Sequence, residues 1–171
     1  RLAGTHVAIV PIFKSPEDER KLIDVSERLA YELRNPEISS KLGVPIKSLV
    51  DKDTQHSPGW KFHEYELIGV PIRVEIGMRD LEKQQVTIVR RDTGKKEFIP
   101  LANAAAYIGE QLLLMQNGLF KKEKKYRQDN SFVVNSYDEF KSKIEGAGGF
   151  LHAHWCESGI CEAAIKDETK A

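Results

Sequence analysis

The chain has 171 residues, 40% of them apolar, with 26 basic and 26 acidic side chains, so it can bury one sizeable core, or one domain and a small appendage, while offering no global field toward nucleic acid or a membrane. Any polyanion site must be local. No apolar stretch approaches the ~20 residues of a membrane span, no charged-then-apolar leader is visible, and two cysteines five positions apart make no disulfide framework, so a soluble protein of a reducing, intracellular compartment is expected.

"THVAIVPIF", residues 5 to 13, predicts a short buried strand. Ser15 then has the character of an N-cap, Pro16 of a first helical residue, and Glu17, Asp18 and Glu19 suit the positive helix end. Leu22, Val25, Leu29 and Leu33 recur at helical spacing, predicting an amphipathic helix over about 16 to 34, ended by Asn35-Pro36. "VPIKSLVDK" predicts a second strand. "PIRVEIG" predicts a third, with Ile72, Val74 and Ile76 on one face and Arg73 and Glu75 on the other. Residues 84 to 101 hold two β runs around Asp92-Thr93-Gly94, a hairpin signal, and 101 to about 126 is helical with a basic end. The order implies a mixed sheet of about five strands flanked by helices, an α/β fold. The pattern then restarts: a capped helix over about 136 to 145, a Gly hinge, and a strand running into Cys156. A domain boundary is expected near residues 127 to 131.

The stretch from 59 to 80, "GWKFHEYELIGVPIRVEIGMRD", carries the most chemistry. Guanine offers hydrogen-bond donors on its Watson-Crick edge and acceptors on its Hoogsteen edge. A carboxylate only accepts and a guanidinium only donates, so Glu with Arg is the minimal set for reading guanine from both sides. An aromatic adds a stacking face, worth roughly 1–3 kcal/mol per base. Phe62 and Glu66 are four apart, on one face of a helical turn. Arg73 begins the polar face of the following strand. Gly77, Arg79 and Asp80 turn the chain at that strand's end, where open α/β sheets usually bind ligands. Taken alone, such a cluster of aromatics and ion pairs equally describes packing. Trp60 and Tyr65 are expected to be packing residues, and Glu75 to be open to pairing with a neighbouring lysine.

"VAIVPI", "SPGWKFHEYELIGVPIRVEIGMRDLEKQQVTIVRRDTGKKEFIPL" and "HAHWCESGICEAAIKDETKA" together resemble the C-terminal part of prolyl-tRNA synthetases of the archaeal and eukaryote-like type, over essentially all of residues 5 to 171. The PGWKF motif and its continuation to the Gly-Val-Pro bend, with "AHWC" and a C-x4-C, are characteristic of that branch. A generic anticodon-binding fold would match only the strand-helix pattern. The resemblance implies the class II anticodon-binding fold over residues 1 to 128. It makes 129 to 171 part of a small, incomplete C-terminal zinc-binding-like α/β domain. It implies tRNA(Pro) as partner, its anticodon met by Phe62 as the stacking aromatic, Glu66 and Arg73 as polar base contacts, and Arg79 and Asp80 at the strand end. Proline codons begin CC, so every proline anticodon ends in two guanines. Met78 stands where the family usually has Pro, Tyr65 where it has Trp and Ile68 where it has a basic residue.

The full-length relative implied is a cytoplasmic, homodimeric proline-tRNA ligase that uses ATP and Mg, its catalytic domain lying on the same chain, with no DNA or membrane partner. No class II core motif lies in these residues, and the chain opens on Arg1 rather than Met, so it is expected to be a piece that binds tRNA without charging it. An accessory module that kept the fold and lost anticodon reading is the alternative. A free-standing small-molecule enzyme is disfavoured, because no nucleophile-base set or phosphate-cradling Gly loop is visible.

Cys156 and Cys161 have the spacing of half a structural zinc site. In the resembling family a second cysteine pair follows, so zinc is expected only with residues beyond this chain. His152 and His154 alternate along a strand in the manner of one exposed face. Five basic residues and one acid occupy 121 to 127; Lys121, Lys122, Lys124 and Lys125 there either solvate a helix end or position RNA phosphates. Arg90, Arg91, Lys95 and Lys96 on the hairpin are open to the same two readings.

Overall fold

The computed structural model describes residues 3–169, apart from the side chain of Lys41; Arg1, and Lys170 and Ala171 at the end of the last motif, lie outside the described residues. The order is β1 (Val7–Ile12), α1 (Pro16–Glu32), α2 (Pro36–Ser39), a 3-10 turn (Ser40–Leu42), β2 (Ser48–Val50), α3 (Pro58–Leu67), β3 (Ile72–Gly77) and α4 (Met78–Glu82). It continues with β4 (Gln85–Arg90), β5 (Lys96–Pro100), α5 (Leu101–Asp129), β6 (Ser131–Val133), α6 (Tyr137–Glu145), β7 (Phe150–His152) and α7 (Gly159–Thr169). The chain forms two compact units, one up to Gly118 and one from Leu119, so the division falls inside α5 and upstream of the 127 to 131 region.

In the first unit five strands form one sheet in the order β2-β1-β3-β4-β5. β1 runs parallel to β2 and β3, and the β3-β4 and β4-β5 pairs are antiparallel, giving the mixed five-stranded sheet that the pattern predicts. The alternation is visible in the core. Val7, Ile9, Ile72, Val74, Ile76, Val86 and Ile88 point one way and pack with Leu22, Leu29 and Leu33 from the first helical segment and Ala104, Ala105, Ile108 and Leu112 of α5. Ser15 caps α1 by accepting from the Asp18 amide at 3.2 Å. Asn35 both ends that helical stretch and caps α2, accepting from the Glu37 amide at 3.0 Å. α5 passes so close to α2 that a Cβ on Gly109 would lie 2.7 Å from the Ile38 Cγ2, so only glycine fits without a shift.

Two differences from the sequence expectations bear on function. β2 is three residues long, pairing only Ser48, Leu49 and Val50 with β1, whereas the pattern suggests a longer strand; Pro45 has no N–H to extend the ladder. The polar face of β3 is also buried. Ala8, Val10, Arg73, Glu75, Thr87 and Val89, all on the side away from α1 and α5, are nearly inaccessible, and α3 lies over this second face.

In the second unit β6 pairs in parallel with β7. Ser136 caps α6, accepting from the Glu139 amide at 3.2 Å, and Glu168 of α7 accepts from Tyr137 and Lys141 of α6 at 3.0 and 2.9 Å. Gly149, at φ +119°, sits where a Cβ would fall 2.6 Å from the Asn130 carbonyl. The strand expected to run into Cys156 stops at His152, and Cys161 lies on α7. The partner strand sets the limit: β6 ends at Val133, which pairs with His152, so the ladder goes no further toward Cys156. Among the described residues no helix is long and apolar enough to cross a membrane.

His6 joins β1 to the segment before β2. Its amide donates to the Lys47 carbonyl at 2.8 Å and its Nδ1 accepts from the Lys47 amide at 3.1 Å. Burial, and then the Lys47 charge, hold its pKa below the ordinary 6.5. The unfolded chain therefore binds the proton more readily, and stability is full above about pH 6.5 and falls as pH drops below it. Thermal unfolding of the chain between pH 7 and 5 is expected to show this loss, and His6→Gln to flatten it.

Candidate nucleic-acid interface

Ser57 and Pro58 start α3 as the sequence dictates, the Ser57 hydroxyl accepting from the Trp60 amide at 3.3 Å. Two i, i+4 pairs then fasten the helix to the sheet. Lys61 and Tyr65 reach Asp51, just past β2: the Lys61 ammonium lies 3.0 Å from Oδ1 and the Tyr65 hydroxyl donates to Oδ2 at 2.9 Å. Lys61 also donates to the Asp53 carbonyl. Burial, reinforced by the Asp51 carboxylate, pushes the Tyr65 phenol well above its ordinary pKa, so it acts as a permanent donor. Trp60, half-exposed, stacks on His56 with ring centroids 3.9 Å apart.

Phe62 and Glu66 meet Arg73 of β3. The guanidinium lies 4.2 Å from the Phe62 ring centroid. Its Nη1 donates to Glu66 Oε1 at 2.9 Å and to the Phe62 carbonyl at 3.4 Å, while Nε and Nη2 both donate to Glu75 Oε1, at 3.1 and 3.0 Å. Lys96 of β5 closes the set, 3.2 Å from both Glu75 oxygens and 5.8 Å from the Phe62 ring centroid. Glu75 thus has the lysine partner the sequence left open. The Arg73 side chain is only 9% exposed, but that of Glu66 is 52% exposed, and its second oxygen has no protein partner among the described residues. A notch beside it is lined by Tyr65, Val70, Arg73, Val89 and Arg91. Arg91 is exposed and its guanidinium is unpaired among the described residues. Sequence reasoning left it open between a solvated side chain and a phosphate contact, since a turn arginine carries no signal of what faces it.

Arg79 and Asp80 lie beyond the other end of β3; Arg73 and Gly77 are four residues apart, about 13 Å along the strand. Asp80 caps α4, accepting from the Gly77 amide at 3.2 Å and from Gln85 Nε2 at 3.4 Å. Met78 opens that helical turn and packs against the core. Arg79 is exposed and unpaired among the described residues. The structure therefore brings Phe62, Glu66 and Arg73 together and sets Arg79 and Asp80 apart as a second cluster.

On the hairpin, Arg90 is held by Asp92 at 3.0 and 2.7 Å and by Gln111 at 2.8 Å; the Asp92 contact raises the pKa of the one and lowers that of the other. Lys95 pairs with Glu97 at 2.8 Å. In the second unit Lys121, Lys122, Lys124 and Lys125 are exposed on α5, Lys125 pairing with Asp129 at 2.7 Å. Cys156 and Cys161 are free and exposed. The Ser158 backbone N–H and the Cys161 thiol lower the Cys156 pKa. No group of three or more His, Cys, Asp or Glu among the described residues could hold a metal ion.

Residues 6–111, which take in the whole five-stranded sheet and the start of α5, match the family described as Anticodon binding domain. The chain belongs to this family. Over 171 residues it is 42% identical to a proline-tRNA ligase of Oceanobacillus iheyensis, and over 170 residues 41% identical to that of Christiangramia forsetii. It is 38% identical over 171 residues to that of Rubrobacter xylanophilus. These matches cover 99 to 100% of the chain but only about a third of each relative, 33 to 34%.

Within the anticodon-binding domain, Arg73 carries the sharpest structural consequence. Removing it leaves Glu75 buried with Lys96 alone and releases Glu66. Arg73→Ala is expected to destabilise the chain by about 3 kcal/mol in urea unfolding. Arg73→Lys should recover only part of this, because an ammonium cannot bridge two carboxylates in one plane.

Proposed function

We propose that the chain is the anticodon-reading part of a class II proline-tRNA ligase and binds tRNA(Pro) through the surface formed by α3 and β3. The observation that carries the proposal is Glu66: one carboxylate oxygen is tied to buried Arg73, and the other, on a half-exposed side chain, has no protein partner among the described residues. That oxygen suits the donor edge of guanine, the base two proline anticodon positions share. Phe62 supplies the ring face, and Arg91, which lines the same notch as Glu66, has donors unpaired among the described residues for the acceptor edge. Arg73 is here a positioning residue, since it is buried and four of its five N–H donors are already engaged. Arg79 offers a second cation at the far end of β3, oriented by the Asp80 cap. Lys121, Lys122, Lys124 and Lys125 would hold phosphates without specifying sequence.

For the parent protein the proposal includes a catalytic domain on the same chain, aminoacylation with ATP and Mg, a homodimer and a cytoplasmic location. The "AHWC" and C-x4-C motifs support the archaeal and eukaryote-like branch, and residues 129 to 171 as part of its zinc-binding-like domain. Zinc would use Cys156 and Cys161 with ligands from further residues of the parent. Elemental analysis of this chain should then show well under one zinc per molecule. One zinc per chain would mean that His152 or His154 completes the site.

The central test compares binding of a proline tRNA transcript with one whose two anticodon guanines are changed. Glu66→Gln should cost about 1–3 kcal/mol on the cognate transcript and narrow the discrimination. Lys121→Ala with Lys122→Ala should weaken both transcripts alike and flatten the salt dependence. A folded Glu66→Gln protein with the wild-type ratio would assign Glu66 to structure and favour an accessory module.

A further inference from the structure

We propose that Phe98 is a second base-stacking platform, carrying the nucleotide next to the one held at Glu66 without reading its identity. The inference rests on the assignment of the α3–β3 surface to anticodon-loop RNA.

Phe98 lies in the middle of the edge strand β5 and is 65% exposed. Its neighbour Ile99 packs toward the core, so Phe98 points to the opposite face. That is the face of Arg73 and Glu75. The register places Arg73, Val89 and Lys96 in one row across β3, β4 and β5, and Glu75, Thr87 and Phe98 in the next. Lys96, two residues from Phe98 on the same face, reaches Glu75 and lies near the Phe62 ring, so the site's contacts extend from α3 across the sheet to the strand that carries Phe98. On the other side, Pro100 pairs with Gln85, which contacts the Asp80 carboxylate. Phe98 therefore lies along β5 between the rows that lead to the two candidate clusters, about 7 Å from Lys96 and from Pro100.

A singly exposed apolar side chain on a surface is ordinary. An aromatic one, exposed on the edge strand beside the candidate nucleic-acid surface and two residues from a lysine, is the arrangement that stacks single-stranded bases. The loop of an anticodon supplies unpaired bases in succession. Every base has a π-face, so the contact adds affinity and no sequence preference.

The test uses Phe98→Ala, Phe98→Leu and Phe98→Tyr against the proline tRNA transcript and the transcript with both anticodon guanines changed, with 2-aminopurine in the anticodon loop as a stacking reporter. Phe98→Ala and Phe98→Leu should lose about tenfold or more in affinity on both transcripts, leaving their ratio unchanged, and should lose the fluorescence quenching. Phe98→Tyr should keep both. Because the side chain is exposed, thermal unfolding should stay close to wild type. Wild-type affinity in Phe98→Ala, or full rescue by Phe98→Leu, overturns the inference while leaving the anticodon assignment standing. Absence of any guanine preference in the wild-type protein overturns both.

Discussion

A buried guanidinium organises the surface on which the proposed function depends. β3 is the central strand of the sheet, its apolar face closed by α1 and α5 and its other face by α3, and Arg73 lies in the second layer. Taking its charge out of water costs several kcal/mol, offset only when geometry is good and every donor has a partner. Contacts to Glu66, Glu75 and the Phe62 carbonyl engage four of its five N–H donors, and the Phe62 ring covers the cation's face. With Lys96 on Glu75, two cations balance two anions. Such a set contributes little net stability compared with an apolar layer, but it fixes the helix in one register on the sheet.

That fixed register is what a recognition site needs. A glutamate on a mobile helix would pay conformational entropy each time it bound. Here Lys61 and Tyr65 hold one side of α3 to Asp51, and Phe62 and Glu66 hold the adjacent side to Arg73, so the free oxygen of Glu66 is presented with its helix already immobilised. The second cluster uses another device for the same end. Asp80 spends its carboxylate on a helix cap and on Gln85, which orients the turn that carries Arg79.

The second unit has a different character. Its sheet has two short strands, its helices are tied by the Glu168 contacts, and its cysteines and lysines stand in solvent. Such exposed pairs as Lys125–Asp129 contribute little to stability. Its chemistry lies at the surface: two exposed thiols and a row of ammonium groups, some of them paired.

Much of this was determined by the sequence alone. The alternation of Ile72, Val74 and Ile76, the Ser15 and Ser57 caps and the hairpin around Gly94 are local signals, because period and capping act within a few residues. The four-residue spacing of Phe62 and Glu66 put them on one face before any fold was known, and the family motif followed from contiguous residues. What the sequence could not determine was which polar residues end up beneath others. Alternation marks Arg73 and Glu75 as facing away from the apolar core, but whether that face meets water or a helix depends on where α3 lands. Only the tertiary structure decided that Arg73 is enclosed and Glu66 exposed, that Lys61 and Asp51 pair in the interior, and that Lys96 reaches Glu75 across an intervening strand. Each of these joins residues distant in sequence, and a buried ion pair leaves no periodic trace because its members need only converge in space.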